Sequence, residues 1–479
     1  MNHAIIRYIV GWILRFESIF LCLPGIVGLL CKEMDCFSYF AVATLCLLVS
    51  YVLTKKKPEN KQLYIKDGFV VVALGWIAMS FFGAIPFTMT GDIPSFVDAF
   101  FESVSGFTTT GASILTDVEA MSQTNLFWRS FTHWIGGMGV FVFLMAVLPL
   151  FGGSTMNLMK AESTGPSVDK LVPKVKDTAK ILYAIYIALT LIEFILLMLY
   201  GMPAFDAICT SFGTTGTGGF GIKGDSIASY SPAVQYIIAT FMLLSGINYS
   251  MYFLMLKRKW KQIIKLEEVW WYLGIAGVTT AIIFTKIKDI YPTLEEAFRH
   301  SFFQVASLIT STGFATTDFN LWPALASMTL IVIMFVGACA GSTGGGIKVS
   351  RILILCKSIK KEFSGIVHPQ EIRKIRLNDQ PVAHNALRST NVFLSVHILM
   401  LVLSTLVISI DGQNFTTNFT AALTTLNNMG PGLDMVGPAG NFAFFSVPSK
   451  LMLIFNMLAG RLELFPLLLL LYPGTYKKH

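Results

Sequence analysis

Polar and apolar positions along this chain fall in blocks. Apolar runs such as 69–85 and 185–199, the second carrying the single charge of Glu193, are too long for ordinary core helices and read as membrane spans. Ten spans are expected, at about 8–30, 36–54, 67–90, 124–150, 180–201, 232–256, 268–288, 323–357, 389–410 and 443–472. Four segments between them differ in kind, at 94–118, 203–222, 294–317 and 414–434. They are rich in Gly, Thr, Ser and Phe, too apolar for solvent loops and too broken to span. The first apolar run is too long for a cleavable signal and lacks a small-residue cleavage site, so it counts as a span.

Composition supports this reading. Of 479 residues 54% are hydrophobic and 13% charged, with mean hydropathy +0.64, against roughly 25% charged in soluble proteins. Disordered, coiled-coil and ordinary cytosolic classes are excluded. The net charge of +8 does not point to nucleic acid, because the cations crowd into short segments between apolar runs. Segments 54–66, 160–180, 254–265, 351–376 and 473–479 hold most of the 36 Lys and Arg. The four Gly/Thr-rich segments and their flanks carry only Lys223 and Arg299, against a row of acids including Asp98, Glu102, Asp206 and Glu296. The positive-inside rule then places the basic segments and both termini in the cytoplasm, and the four unusual segments on the outer side. Lys286 and Lys288, near an outer end, are accommodated by snorkelling. The seven cysteines show no pairing pattern. Most read as small buried residues, and Cys31 and Cys36 flank a short loop.

The four unusual segments repeat. They read DAFFESVSGFTTTGA from Asp98, DAICTSFGTTGTGGF from Asp206, EAFRHSFFQVASLITSTGF from Glu296 and NFTAALTTLNNMGP from Asn418. The interval from Asp98 to Gly111 equals that from Asp206 to Gly219, and Glu296 to Gly313 is about one helical turn longer. Each is expected to begin a short helix at its acid or Asn, run into the membrane, and end in a Thr/Ser/Asn–x–Gly loop. Non-helical backbone at membrane depth is tolerated only where buried or lining water. Four such loops around one axis can form rings of carbonyls that replace the hydration shell of a monovalent cation. Four helix C-termini aimed at one cavity add a cation-favouring field.

The motifs TTTGA (108–112), HWIGGMG (133–139), GTGGF (216–220), STGF (311–314), LNNMGPGL (426–433), GACAGSTGGGIKVSRIL (337–353) and AGRLE (459–463) resemble the TrkH/KtrB superfamily of potassium transporters, its TrkH branch most closely. The resemblance implies an all-α membrane protein. Four fused helix–pore-loop–helix repeats would surround one pore, with two extra N-terminal transmembrane helices. The units would be 1–60 (the two extra helices), 61–155, 156–262, 263–385 with an intramembrane gate loop, and 386–479. It implies a homodimer in a bacterial inner membrane, in contact with lipid and not nucleic acid. It also implies a cytosolic nucleotide-binding regulator of the TrkA type, for which the basic segments are the candidate docking surface. Carried over by position, the selectivity filter would be Thr109–Thr110–Gly111, Thr217–Gly218–Gly219, Ser311–Thr312–Gly313 and Asn428–Met429–Gly430. In the second unit Gly216 also follows two threonines, so its register has an alternative. Gly218 in the middle position predicts a looser strand. Without a full TVGYG in any loop, fewer ion sites and weaker discrimination among potassium, rubidium and sodium are expected.

Two features lie inside the membrane. Arg461 falls near the middle of a span, where insertion costs at least ~3 kcal/mol, so it must face protein or water. It reads either as a positive barrier in the pore below the filter or as a structural Arg bonded to carbonyls of a neighbouring helix. Glu463 points to another face of that helix and is no partner on it. The run 341–346, with Gly344, Gly345 and Gly346, breaks the span 323–357; in the resembling family it plugs the pore. Its glycine spacing imitates a phosphate loop, but Ile347 separates Gly346 from Lys348 and no strand precedes it.

The expected function is potassium uptake without enzymatic chemistry or a cofactor, with K+ as the transported ion. The alternative is potassium symport coupled to protons or sodium, for which Glu193 in an apolar span is the single hint. His133 and His300 read as structural. A membrane-embedded enzyme would need a paired nucleophile and base, which the sequence does not offer.

Overall fold

The computed structural model describes residues 1–60, 63–139, 175–370 and 374–476, and is almost wholly helical. Helices α1 (His3–Cys31) and α2 (Cys36–Thr54) form an antiparallel hairpin. Gly11 of α1 faces Leu53 and Thr54, and Gly25 faces Phe40, so small residues let the backbones approach closely. The first unit contains α3 (Ile65–Thr90), α4 (Phe96–Phe107) and α5 (Gln123–Met138). The second contains α6 (Val175–Leu199), α7 (Ala204–Gly216), α8 (Pro232–Ser245), α9 (Tyr249–Leu256) and the single turn α10 (Trp260–Ile264). In the third are α11 (Glu267–Ile287), α12 (Leu294–Ile309), α13 (Ala324–Val336) and α14 (Val349–Val367). An antiparallel hairpin of β1 (Arg376–Leu377) and β2 (Gln380–Pro381), with Arg376 opposite Pro381, leads to the fourth. That unit holds α15 (His384–Ile408), α16 (Phe415–Leu426), α17 (Val447–Arg461) and α18 (Phe465–Leu471).

A long helix, a short buried helix and a return helix thus recur four times, after the α1–α2 hairpin. The short helices α4, α7, α12 and α16 have 12, 13, 16 and 12 residues, so the extra turn read from Glu296–Gly313 belongs to α12 itself. Their starts differ from expectation. Ser95, Thr293 and Asn414 cap α4, α12 and α16 through their side-chain oxygens. The acids Asp98, Asp206 and Glu296 sit one turn further on, where they still favour the helix N-terminus.

The expected spans are not all continuous. Among the described residues six helices are long and apolar enough to cross a membrane alone: α1, α2, α3, α6, α11 and α15. The run 232–256 is instead a helix pair bent by 91°, broken where Asn248 turns its side chain onto Ser250 N–H at 2.8 Å and starts α9 afresh. The run 323–357 is interrupted from Gly337 to Lys348, well beyond the expected 341–346. The run 443–472 breaks after Arg461, with Glu463 and Leu464 at positive φ. Span 124–150 is described only as far as 139. Most of the basic segment 160–180, and the expected boundary at 155/156, lie outside the described residues.

Candidate functional site

The four short helices end identically, and the ends explain the loops. In each, one N–H bonds back to the carbonyl three residues earlier and the next to the carbonyl five earlier. Thr109 bonds Gly106 (3.1 Å) and Thr110 bonds Ser105 (2.9 Å); Thr217 bonds Thr214 (3.1 Å) and Gly218 bonds Gly213 (2.8 Å). Ser311 bonds Leu308 (3.2 Å) and Thr312 bonds Ser307 (2.8 Å); Asn428 bonds Thr425 (3.4 Å) and Met429 bonds Thr424 (2.8 Å). This is the Schellman closure, which needs its pivot residue in the left-handed region. Here the pivots are Thr109, Thr217, Ser311 and Asn428, at φ 54°, 56°, 61° and 53°. Each is a non-glycine residue in a conformation that costs roughly 1–2 kcal/mol, so the surrounding protein must hold it. The common pivot also settles the backbone alignment of the second loop: Thr217, not Gly216, is equivalent to Thr109.

Two residues after each pivot stands a glycine. Gly111, Gly219 and Gly313 have φ of 78°, 79° and 90°. Each also lies where a Cβ would strike the next unit. At Gly111 it would meet Gly218 O; at Gly219, Thr312 O; at Gly313, Gly430 N and Pro431 Cδ, both at 3.1 Å. A Cβ on Gly430 would meet Gly111 O at 2.8 Å, which closes the cycle. The four loops therefore form one ring, unit one against two, two against three, three against four, and four against one. The fourth position departs from the others: Gly430 is not at positive φ, and Pro431 follows it. On the acid-rich side the ring opens directly into a cavity of about 170 Å³, lined by all four glycines and by Arg129, Asp117 and Lys223.

The middle position of the second loop is not loose. A Cβ at Gly218 would enter the His133 ring, so the imidazole fills the space that a side chain occupies in the other loops. His133 Nδ1 lies 2.8 Å from Gly106 O and its Nε2 accepts from Phe220 N–H at 3.2 Å. A carbonyl only accepts, so Nδ1 carries the proton and the ring clamps the first loop to the second. Asn428 does the same between the fourth and the first, donating to Thr110 Oγ1 at 3.0 Å and to Met457 O at 2.8 Å. His300 bonds Thr316 at 2.8 Å within the third unit, a structural contact.

Below the ring the interruption 337–348 forms a lariat. Its neck is closed by Lys348 N–H to Val336 O (3.0 Å) and Val349 N–H to Ala338 O (3.1 Å). Its tip rests on the ends of the short helices: Gly345 N–H donates to Ser311 Oγ, and Gly346 N–H to Asn427 O at 3.0 Å. A Cβ on Gly344 would stand 2.7 Å from Thr310 O, and one on Gly345 would run into Asn427 O. Lys348, 2% exposed, folds its ammonium onto Gly344 O.

Arg461 joins the two layers. Its guanidinium donates to Thr109 Oγ1 (3.2 Å) in the first loop and to Thr343 O (3.0 Å) in the lariat. It also bonds Gly137 O (2.9 Å) and Gly136 O at the end of α5. Carbonyls of α5 and the lariat thus hold the guanidinium directly beneath the first loop. It is the last residue of α17, where a cation favours the negative helix end.

The sequence reading missed several charges. Glu102 of α4 and Arg129 of α5 are 2.6 Å apart, 0% and 2% exposed. Arg129 also reaches Gly221 O at 3.0 Å and covers the Phe220 ring at 3.8 Å, tying the mouths of the first two loops. Opposite charges in consecutive apolar segments were the available signal. Lys348 and Arg351 directly follow the glycine run, and Arg351 pairs with Glu463 from just past the end of α17. Glu268, on α11, accepts from both Ala340 N–H (2.6 Å) and Ser350 N–H (3.1 Å) and so grips the lariat at two points. Glu193 is fully buried beside Thr214 of α7. Cys31 and Cys36 are free thiols, one exposed and one buried.

Known proteins resemble this chain over its whole length. The family described as TrkH, cation transport protein, matches residues 36–474. The chain is 37% identical to the Trk system potassium uptake protein TrkH of Salmonella typhimurium over 487 aligned positions, covering 100% of both chains. Identity with the TrkI protein of the Trk system in Halomonas elongata is 30%, over 96% of this chain and 94% of that one. The crystal structure of the potassium transporter TrkH from Vibrio parahaemolyticus matches with TM-score 0.87 and 31% identity, covering 100% of both chains.

Proposed function

Because the chain belongs to the TrkH family of cation transport proteins, we propose that it carries potassium into the bacterial cell through the ring of four loops. The observation that carries this reading is the closed cycle of Gly111, Gly219, Gly313 and Gly430 beneath an open cavity. In it the filter is Thr109–Thr110–Gly111, Thr217–Gly218–Gly219, Ser311–Thr312–Gly313 and Asn428–Met429–Gly430. An ion leaving water exchanges hydration oxygens for loop carbonyls, and the four helix C-termini favour its positive charge. The basic side is the cytoplasmic side, with both termini there. The lariat and Arg461 form the gate, which a TrkA-type cytosolic regulator controls in a homodimer. Rubidium passes with potassium, and sodium is excluded incompletely.

The test is growth at limiting potassium of a bacterial strain lacking its own uptake systems, with rubidium influx measured in parallel. The wild-type chain restores both; failure of both at normal membrane expression overturns the reading. A coupled mechanism is favoured by one observation, the buried Glu193 behind the second loop. In that case proton movement would accompany rubidium into vesicles and disappear in Glu193→Gln.

A further inference from the structure

Segment 257–265 reads Lys-Arg-Lys-Trp-Lys-Gln-Ile-Ile-Lys, five cations without an acid. It links α9 to α11 on the basic side of the membrane. Among these nine residues only Ile263 is buried. Trp260 and, just beyond, Trp271 are 57% and 56% exposed, and Leu256 and Ile264 are exposed with them. The acids nearby are already engaged. Glu267 pairs with Lys357, Glu268 takes two backbone N–H groups, and Asp379 pairs with Lys265 at 2.9 Å. That ammonium holds the Asp379 carboxyl below its ordinary value through their hydrogen bond. Among the described residues Lys257, Arg258, Lys259 and Lys261 make no ion pair. Exposed indoles beside unpaired cations, at the end of spanning helices, fit a lipid headgroup layer of negative charge.

The same stretch of chain holds the lariat. Gly246 O accepts from Cys339 N–H at 3.0 Å, and Tyr249 N–H donates to Gly341 O at 3.1 Å. Glu268, three residues past Lys265, grips Ala340 and Ser350. Residues 246–268 thus embrace the lariat from both ends while their middle faces outward.

We propose that segment 257–265 binds anionic phospholipid of the leaflet on the basic side, and that this contact biases the lariat. The second half rests on the transport reading above; the first does not. Each basic residue near an anionic surface strengthens attachment about fivefold.

The experiment uses the purified full-length chain, with no other protein present, in phosphatidylcholine vesicles with or without about one third phosphatidylglycerol. The variant is Lys257→Gln/Arg258→Gln/Lys259→Gln/Lys261→Gln, all exposed positions where folding should be little affected. Brominated phosphatidylglycerol should quench tryptophan fluorescence more than brominated phosphatidylcholine. The excess should vanish in the quadruple variant and shrink in Trp260→Phe. Equal quenching by the two lipids in the wild type overturns the lipid surface and leaves the cations to orientation or a protein partner. For the second half, the wild-type to variant ratio of rubidium flux should differ at least threefold between the two vesicle types. A ratio taken within each vesicle cancels the accumulation of cations at the charged surface. An unchanged ratio, with quenching as expected, overturns the coupling alone. Absence of wild-type flux in both vesicle types overturns the coupling, while quenching still decides the lipid surface and the growth test above decides the transport reading.

Discussion

The ring of loops and the lariat beneath it touch at Ser311, Asn427 and, through Arg461, Thr109, yet they are held by different means. The ring is assembled from four copies of one backbone pattern. Its close contacts are backbone against backbone, made possible by glycines, with His133 and Asn428 as short clamps. The lariat exists once. Backbone hydrogen bonds close its neck and seat it on Gly246, Tyr249 and Asn427, and the long or charged side chains of Lys348, Glu268 and Arg461 add further grips that the ring has no counterpart for. Backbone contacts without side chains have few alternative arrangements. Side-chain bonds to a charged group, each worth ~1.5–3 kcal/mol, can be released one at a time, which puts a second state of the lariat within reach. On the proposed reading the first suits discrimination between ions and the second suits gating.

That comparison is most easily broken at the tight joints of the ring. Gly219→Ala and Gly111→Ala drive a Cβ into the neighbouring carbonyl. Each should lower the potassium/sodium flux ratio at least tenfold, ~1.4 kcal/mol. Gly313→Ala, whose contact stands at 3.1 Å, should have a smaller effect. Gly216→Ala is the comparison: its Cβ would strike His133 O on α5 rather than a neighbouring loop. It should reduce folded yield and lower the ratio less than Gly219→Ala does.

Stability rather than selectivity reports on the buried pair that braces the ring's mouth. Arg129→Met leaves Glu102 charged and unpaired, a loss of about 3–5 kcal/mol, read as a lower melting temperature in detergent. Glu102→Gln/Arg129→Met removes both charges and should recover part of that loss. If the double variant is less stable than Arg129→Met, the pair is not what holds this joint.

For the lower layer, Arg461→Ala should raise rubidium flux roughly tenfold, well inside the ~4 kcal/mol that a unit charge exerts at 4 Å in an effective dielectric of 20. Arg461→Lys should fall between, since an ammonium keeps the charge but cannot span the loop, the lariat and α5 together. The smallest expected effect is at Glu268. Glu268→Ala strands two N–H groups and should loosen the lariat, raising flux a few-fold. Glu268→Gln keeps Oε1, the atom that accepts both bonds, and should behave as wild type in the same assay.

The ring was legible in the chain because repetition carries information that one copy does not. A lone Thr-x-Gly means little; four, each closing an apolar segment that an acid or Asn opens, marked where the loops lie. The second register needed the backbone, since Thr217 at φ 56° marks the pivot and no residue type does. Gly218 was misread as slack because its partner, His133, lies on another helix, far away in sequence. The lariat was seen as a glycine run, but its true limits, Gly337 and Lys348, are fixed by neck hydrogen bonds that leave no compositional trace. Continuous spans were overcounted for a similar reason. Hydropathy measures apolar length, and the bend at Asn248 and the break after Arg461 lie inside apolar stretches.

The central claim is that ring and lariat control separate properties. One measurement tests it directly: rubidium and sodium influx, recorded together and normalised to folded protein, in vesicles bearing wild type, Gly219→Ala or Arg461→Ala. The account predicts that Gly219→Ala collapses the rubidium/sodium ratio, and that Arg461→Ala raises both fluxes at a constant ratio. A preserved ratio in Gly219→Ala, or an altered ratio in Arg461→Ala without a gain in flux, would contradict it.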